Sequence, residues 1–175
     1  MKFNIQPETK ADNAEIKALM ALSFDAQESK KRTVYHFRKT ALPIKQTGYV
    51  ARTACADDQT GSLLGSIRFW PVLIESKIKS PMMLPLLGPL AVNPNLRGKG
   101  IGRALVKAGL RNIQNLGFKG VLIVGDPGYY VPQGFTVEAV ENLILPGPVS
   151  PLTFMGYEFQ SDYLCQLAGE ISPYL

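Results

Sequence analysis

Three glycines alternate with larger residues in Asn95-Leu96-Arg97-Gly98-Lys99-Gly100-Ile101-Gly102-Arg103. Glycines in such a loop let backbone N–H groups point inward without side-chain obstruction. The helix expected to start there adds its orphan donors and positive dipole, and the result is a cradle for a phosphate or pyrophosphate. Arg103, Lys107 and Arg111 follow at i, i+4 and i+8, one stripe of that helix, which suits a ligand with more than one phosphate. Two familiar phosphate loops fail. A Walker A needs glycine at position 93 and Ser or Thr after the lysine, where Asn93 and Gly100 stand. The dinucleotide fingerprint G-x-G-x-x-G fails because Gly102 comes one position early, with no acidic ribose ligand about 20 residues on.

The flanking pattern supplies the elements that position this loop. Leu86-Leu87-Gly88-Pro89-Leu90-Ala91-Val92 is an apolar strand whose Gly-Pro interruption predicts a bulge, because proline cannot donate to a ladder. Gly100 to Leu116 reads as a helix with Ile101, Ala104, Leu105, Ala108 and Leu116 on its buried side and Gly117 as its cap. Val121-Leu122-Ile123-Val124 is apolar throughout, as a buried central strand is. Upstream, Thr9 to Asp12 is a capping box with Asp for Glu, opening a helix over about 12–24. A second helix spans 29–39, with Val34 and Phe37 inward. Residues 48–54 and 62–74 form a hairpin around an Asp-Gly turn at 57–61. Strands over 137–145 and 152–159 follow, around Pro146-Gly147-Pro148. No repeat or linker interrupts the chain.

Composition narrows the classes. A chain of 175 residues, 46% hydrophobic and 19% charged, has the balance of one globular domain and not of a disordered or coiled-coil protein. No run of 18 apolar residues occurs, and Met1 to Pro7 lacks a signal core, so neither a membrane partner nor export is expected. Two cysteines, Cys55 and Cys165, and one histidine, His36, are too few for a disulfide framework or zinc ribbon. A reduced, cytoplasmic, metal-free protein is the expectation. The net charge of +5 is concentrated: between Glu75 and Asp126 stand eight Lys and Arg and no acid. No aromatic-basic interleaving of the RNA-binding kind accompanies them, so nucleic acid is not the expected partner.

Residues 97–102 match R/Q-x-x-G-x-G/A, and this chain resembles the GNAT N-acetyltransferases, whose coenzyme A pyrophosphate loop has that form. Leu90-Ala91-Val92-Asn93-Pro94 is similar to the family's fourth-strand end. Val124-Gly125-Asp126-Pro127-Gly128-Tyr129-Tyr130, then Gly134-Phe135, resembles the Y-x-x-x-G-F block after its fifth strand, in the GDP-x-YY form of a bacterial subgroup. The resemblance implies an α/β GNAT fold, with a mixed sheet of about six to seven strands, splayed fourth and fifth strands and about four helices. One domain would cover 1–175, with core 3–160 and a C-terminal extension 161–175.

The same resemblance implies acetyl-CoA as cosubstrate and a small-molecule or protein amine as acceptor. The backbone of Leu90, Ala91 and Val92 would hold the pantetheine arm, and Arg97, Gly98, Lys99, Gly100, Ile101, Gly102 and Arg103 the pyrophosphate. A backbone N–H near Val92 would polarise the acetyl carbonyl. Tyr130 takes the place of the general acid, since a phenol of pKa about 10 holds its proton at neutral pH. Pro132 disrupts the short helix that should carry it, which leaves Tyr129 as the alternative. Residues 81–92 contain no carboxylate. Asp126 and Glu75 are the candidates for a base acting through water, and none is assigned. His36 has a suitable pKa but no place in the cleft, and Cys55 packs in the hairpin. The acceptor pocket is expected from the first two helices and the segment after 145. A catalytically silent CoA-binding module of the same fold is the alternative, and a homodimer is compatible with the family's edge strands.

Overall fold

The computed structural model describes residues 1–24, 37–38, 41–54, 61–75 and 80–174. Apolar runs in the middle of the chain pair into a mixed eight-stranded sheet. Its spine is β3 (Leu63–Glu75), bordered along one edge by β4 (Met82–Val92) and along the other by β2 (Tyr49–Thr53) and then β8 (Gly169–Pro173), all antiparallel. Strand β1 (Phe3–Pro7) adds to β2 at an edge, where Pro7 needs no ladder N–H. Beyond β4 lie β5 (Gly120–Val124), parallel to it, and β7 (Phe154–Glu158), antiparallel to β5. The two-residue β6 (Leu143–Ile144) pairs with β8.

Three α-helices lie wholly within the described residues: α1 (Asn13–Ser23), α2 (Ile101–Asn115) and the one-turn α3 (Pro127–Tyr130). Helix α2 buries Ile101, Leu105, Val106, Leu110 and Ile113 in a core shared with Ile67, Phe69 and Phe135. Gly109 lets it come close, because a Cβ there would lie 2.6 Å from Cε2 of Phe69. A second cluster gathers Phe37, Val72, Leu84, Leu86, Leu122 and Ile171.

The hairpin strands, the bulged strand, the central strand and helix α2 stand where the pattern predicts them. Other expectations need correction. Two of the eight strands, β1 and β8, carried no pattern strong enough to read. Residues 137–145 are not one strand: Glu138–Val140 is a 3-10 turn and only β6 is extended. There the Thr136 hydroxyl accepts from the Ala139 N–H (3.4 Å), a side-chain bond that competes with a ladder. Leu116 is 45% exposed because it lies past the last buried turn, and Ala104 and Ala108 are only half-buried. Most of the helix expected over 29–39, the turn residues 55–60, and with them His36 and Cys55, lie outside the described residues.

A buried ion cluster ties α1 to the sheet. Arg52 in β2, 4% exposed, pairs with the equally buried Asp12 and with Glu15 (2.7 Å), and donates to the Gly61 carbonyl (2.7 Å). Burial pushes the Asp12 carboxyl up, but hydrogen bonds from Arg52 and Thr9 outweigh it and hold the group below its usual 3.8. Its contribution to stability is therefore complete above pH 3.8 and lost as pH falls through the lower folded value. Asp12→Ala should cost about 2 kcal/mol in urea unfolding, since the buried guanidinium loses a charged partner and keeps Glu15 and the Gly61 carbonyl. Asp12→Asn should flatten the acid limb of the stability curve; an acid limb as steep as wild type would show that Asp12 does not carry it.

Candidate functional site

Strands β4 and β5 meet at one ladder pair, Leu86 with Leu122. Past that point β4 stays with β3 and β5 stays with β7, so the two ends part. The bulge lies just beyond: Ile67 faces Leu90 and Phe69 faces Leu87, so β4 uses one residue more than β3 across Gly88-Pro89. The opening continues into a cavity of about 680 Å³ that runs to the start of α2, a size suited to a small-molecule ligand.

Nine residues expected around a cofactor border this cavity: Leu90, Ala91, Val92, Arg97, Gly98, Gly100, Ile101, Gly102 and Arg103. Lys99 does not border it. Its side chain is exposed, and its N–H donates to the Leu96 carbonyl (3.4 Å) inside the turn. The loop is pinned at its entry, where the Asn93 side chain accepts from the Asn95 N–H (3.0 Å). Gly100 caps α2 at φ 81°, a left-handed conformation, and a Cβ there would meet open space. The first helical bond runs from the Ala104 N–H to the Gly100 carbonyl (3.0 Å). The N–H groups of Ile101, Gly102 and Arg103 precede that ladder, and Arg103 adds a full charge. The geometry is that of an anion cradle.

Tyr129 and Tyr130 both line the cavity but serve different ends of it. A side chain on Gly102 would collide with the Tyr129 hydroxyl, which places that hydroxyl at the helix start. Tyr130 is 8% exposed and lies against the end of β5: a Cβ on Gly125 would stand 2.8 Å from its Cδ2. The rings meet edge-on at 4.9 Å, and Phe135 holds Tyr130 from another side at 5.4 Å. Burial pushes both phenols up. For Tyr130 the neighbouring Tyr129 adds to the rise and Arg38 opposes it; for Tyr129 a Gln133 hydrogen bond and Arg103 oppose it. Pro132 does not unseat either ring. It occupies the start of a new 3-10 turn, Val131–Gln133, while Tyr130 keeps helical angles at φ −94°, ψ −32°.

The base candidates separate. Asp126 borders the cavity as the cap of α3, accepting from the Gly128 N–H (2.9 Å), and its side chain is exposed. Glu75 is at the opposite end of the sheet: Val92 pairs with Gly65, ten residues and about 30 Å of strand from Glu75. Two lining residues come from the end of the first helix. Phe24 ends α1 at the cavity, and Ser23 donates to the Val92 carbonyl (3.3 Å), fastening α1 to the free end of β4. Among the described residues no three His, Cys, Asp or Glu side chains cluster as metal ligands, and no helix is long and apolar enough to cross a membrane.

The fold has close counterparts. The crystal structure of a GNAT family N-acetyltransferase, YhbS of Escherichia coli, in complex with CoA is 28% identical, with a TM-score of 0.79 over 99% of this chain and 91% of that one. A GNAT family acetyltransferase from Brucella melitensis in complex with acetyl-CoA is 25% identical, with a TM-score of 0.68 over 99% and 96%. In sequence, the uncharacterized N-acetyltransferase YhbS of Escherichia coli K12 is 27% identical across 94% of this chain and 92% of its own. The acetyltransferase (GNAT) family model matches residues 16–129, from the first helix through the glycine loop to the first cavity tyrosine. With the parted parallel strands and the cradle at the start of α2, that match makes this chain a member of the GNAT acetyltransferase family.

Proposed function

We propose that the protein transfers an acetyl group from acetyl-CoA directly to a primary amine, on a small molecule or a protein. The observation that carries this reading is the continuity of one cavity from the glycine cradle to the gap between β4 and β5. Acetyl-CoA supplies an activated acyl group on a good leaving group, and two relatives of matching length are described as complexes with CoA and acetyl-CoA.

Each part of the cavity wall has a task in that reaction. The N–H groups from Gly100 to Arg103 hold the pyrophosphate. The unpaired edge of β4 at Leu90, Ala91 and Val92 offers backbone groups to the amides of the pantetheine arm, as a neighbouring strand would. A backbone N–H near Val92 polarises the acetyl carbonyl. The acceptor must arrive as a free amine, whose nitrogen forms the new C–N bond as the C–S bond breaks. The Tyr130 hydroxyl, kept protonated by burial, stands at the inner end as proton donor to the sulfur. Asp126 is committed to its cap and Glu75 is remote, so a solvent water takes the proton that the acceptor sheds.

Calorimetry with acetyl-CoA and CoA tests the reading. Wild type should bind in the micromolar range. Gly100→Trp should lose at least tenfold, because its side chain enters the open space of the cradle; the left-handed φ of 81° adds strain there, so circular dichroism accompanies the titration to check that the variant is folded. No binding by folded wild-type protein would end the acetyltransferase reading. On a panel of polyamines, amino acids and peptides, Tyr130→Phe should lower kcat by about 100-fold with little change in KM for acetyl-CoA. Retained binding with no turnover of any amine would assign the silent CoA-binding module instead.

A further inference from the structure

Two phenols border the cavity, and the transfer step above uses only Tyr130. The other, Tyr129, is held at the opposite end. A Cβ on Gly102 would collide with its hydroxyl and stand 3.4 Å from its Cζ. One C–C bond further back, the hydroxyl lies within about 4 Å of the Gly102 Cα. Gly102 is the second residue of α2, and its N–H is one of those left free ahead of the helical ladder. Val92 Cγ2 lies 3.6 Å from the same Cβ position, so the end of β4 borders that spot too. The ring has little freedom to leave. Tyr130 meets it edge-on at 4.9 Å. Its backbone is tied on both sides: the Tyr129 N–H donates to the Asp126 carbonyl (3.0 Å), and the Gln133 side chain donates to the Tyr129 carbonyl (2.9 Å). Burial raises the phenol above its ordinary value of 10, so at neutral pH it keeps a hydrogen to give.

We propose that the Tyr129 hydroxyl is a side-chain ligand of the diphosphate, donating to a phosphate oxygen that the N–H groups at the start of α2 also hold. This rests on the acetyl-CoA reading above. The backbone offers an anion only partial charges, and a hydroxyl hydrogen aimed at the same oxygen adds a charge-assisted bond. Arg97 and Arg103 border the same end of the cavity and supply the full charges. The position also excludes a role for Tyr129 at the thioester. The whole pantetheine arm separates the diphosphate from the sulfur, and one hydroxyl cannot serve both. Glycine at position 102 has its reason in the same contact, since a side chain there would take the hydroxyl's place. The consecutive tyrosines thus divide the cosubstrate, Tyr129 at the diphosphate and Tyr130 at the sulfur.

The test needs no acceptor. Calorimetry compares CoA with adenosine 3′-phosphate 5′-diphosphate, the part of CoA that ends at the diphosphate and carries neither arm nor sulfur. Tyr129→Phe should weaken both ligands by the same factor, about tenfold, and Tyr130→Phe should leave the fragment's affinity unchanged. Gly102→Ala puts a methyl group where the hydroxyl stands and should weaken the fragment as well. Adding Tyr129→Phe to Gly102→Ala should cost nothing more, because the hydroxyl is already displaced. Circular dichroism confirms that each variant is folded. Unchanged fragment affinity in Tyr129→Phe overturns the assignment, as does a fragment that fails to bind wild type while CoA binds. A loss for CoA alone puts the hydroxyl on the arm and overturns it equally. In each of these cases the acetyl-CoA reading stands. Failure of wild type to bind CoA removes that reading, and this inference with it.

Discussion

Parallel strands held together at a single ladder pair leave every backbone group beyond that pair without a neighbour. Here the pair is Leu86 with Leu122, and the consequence runs through the whole site. The carboxyl end of β4 keeps β3 on one side and exposes its other edge, a condition that water or an amide-bearing ligand must satisfy. The bulge at Gly88-Pro89 belongs to the same constraint, since it shifts β4 against β3 at the level where β5 turns away. Proline at that position removes a donor that a continued ladder would have needed.

The elements around the opening hold it in shape. Helix α2 starts where the loop after β4 ends, so the cradle and the unpaired strand edge are connected through eight residues, from Asn93 to Gly100. Its far end is fixed by the core against Ile67 and Phe69, and the close approach at Gly109 sets how near the sheet it lies. On α1, the Arg52 cluster and the Ser23 bond to the Val92 carbonyl anchor the helix at both ends. The start of α2 and the end of β4 are therefore each held by contacts from other elements.

Consecutive residues of a helix point about 100° apart, and Tyr129 and Tyr130, the last two residues of α3, use this to reach different parts of one cavity. One hydroxyl rests at the α2 start and one ring closes the end of β5. Their edge-on contact and that with Phe135 lock both rings. Pro132 stays compatible because the chain begins a new turn there, with the proline in a position that needs no N–H.

The glycine loop, helix α2 with its cap, the bulge and the apolar central strand were legible without the fold, because each depends on contiguous residues acting through backbone geometry. Nine of the ten residues that the sequence proposes around a cofactor border one cavity; Lys99 does not, because a turn bond to Leu96 directs its N–H inward on the loop. The rest needed contacts between residues far apart in the chain. Which tyrosine closes the gap depends on Gly102 and Gly125, which belong to separate elements. The approach of Arg38 to Gly88 and of Ser23 to Val92 joins residues 50 and 69 positions apart. Strand β8 exists because β3 has a free half-edge to pair with, not because its five residues are strongly extended. Periodicity reads what neighbours in sequence do to one another. The opened gap is made by strands that meet only after the chain has folded.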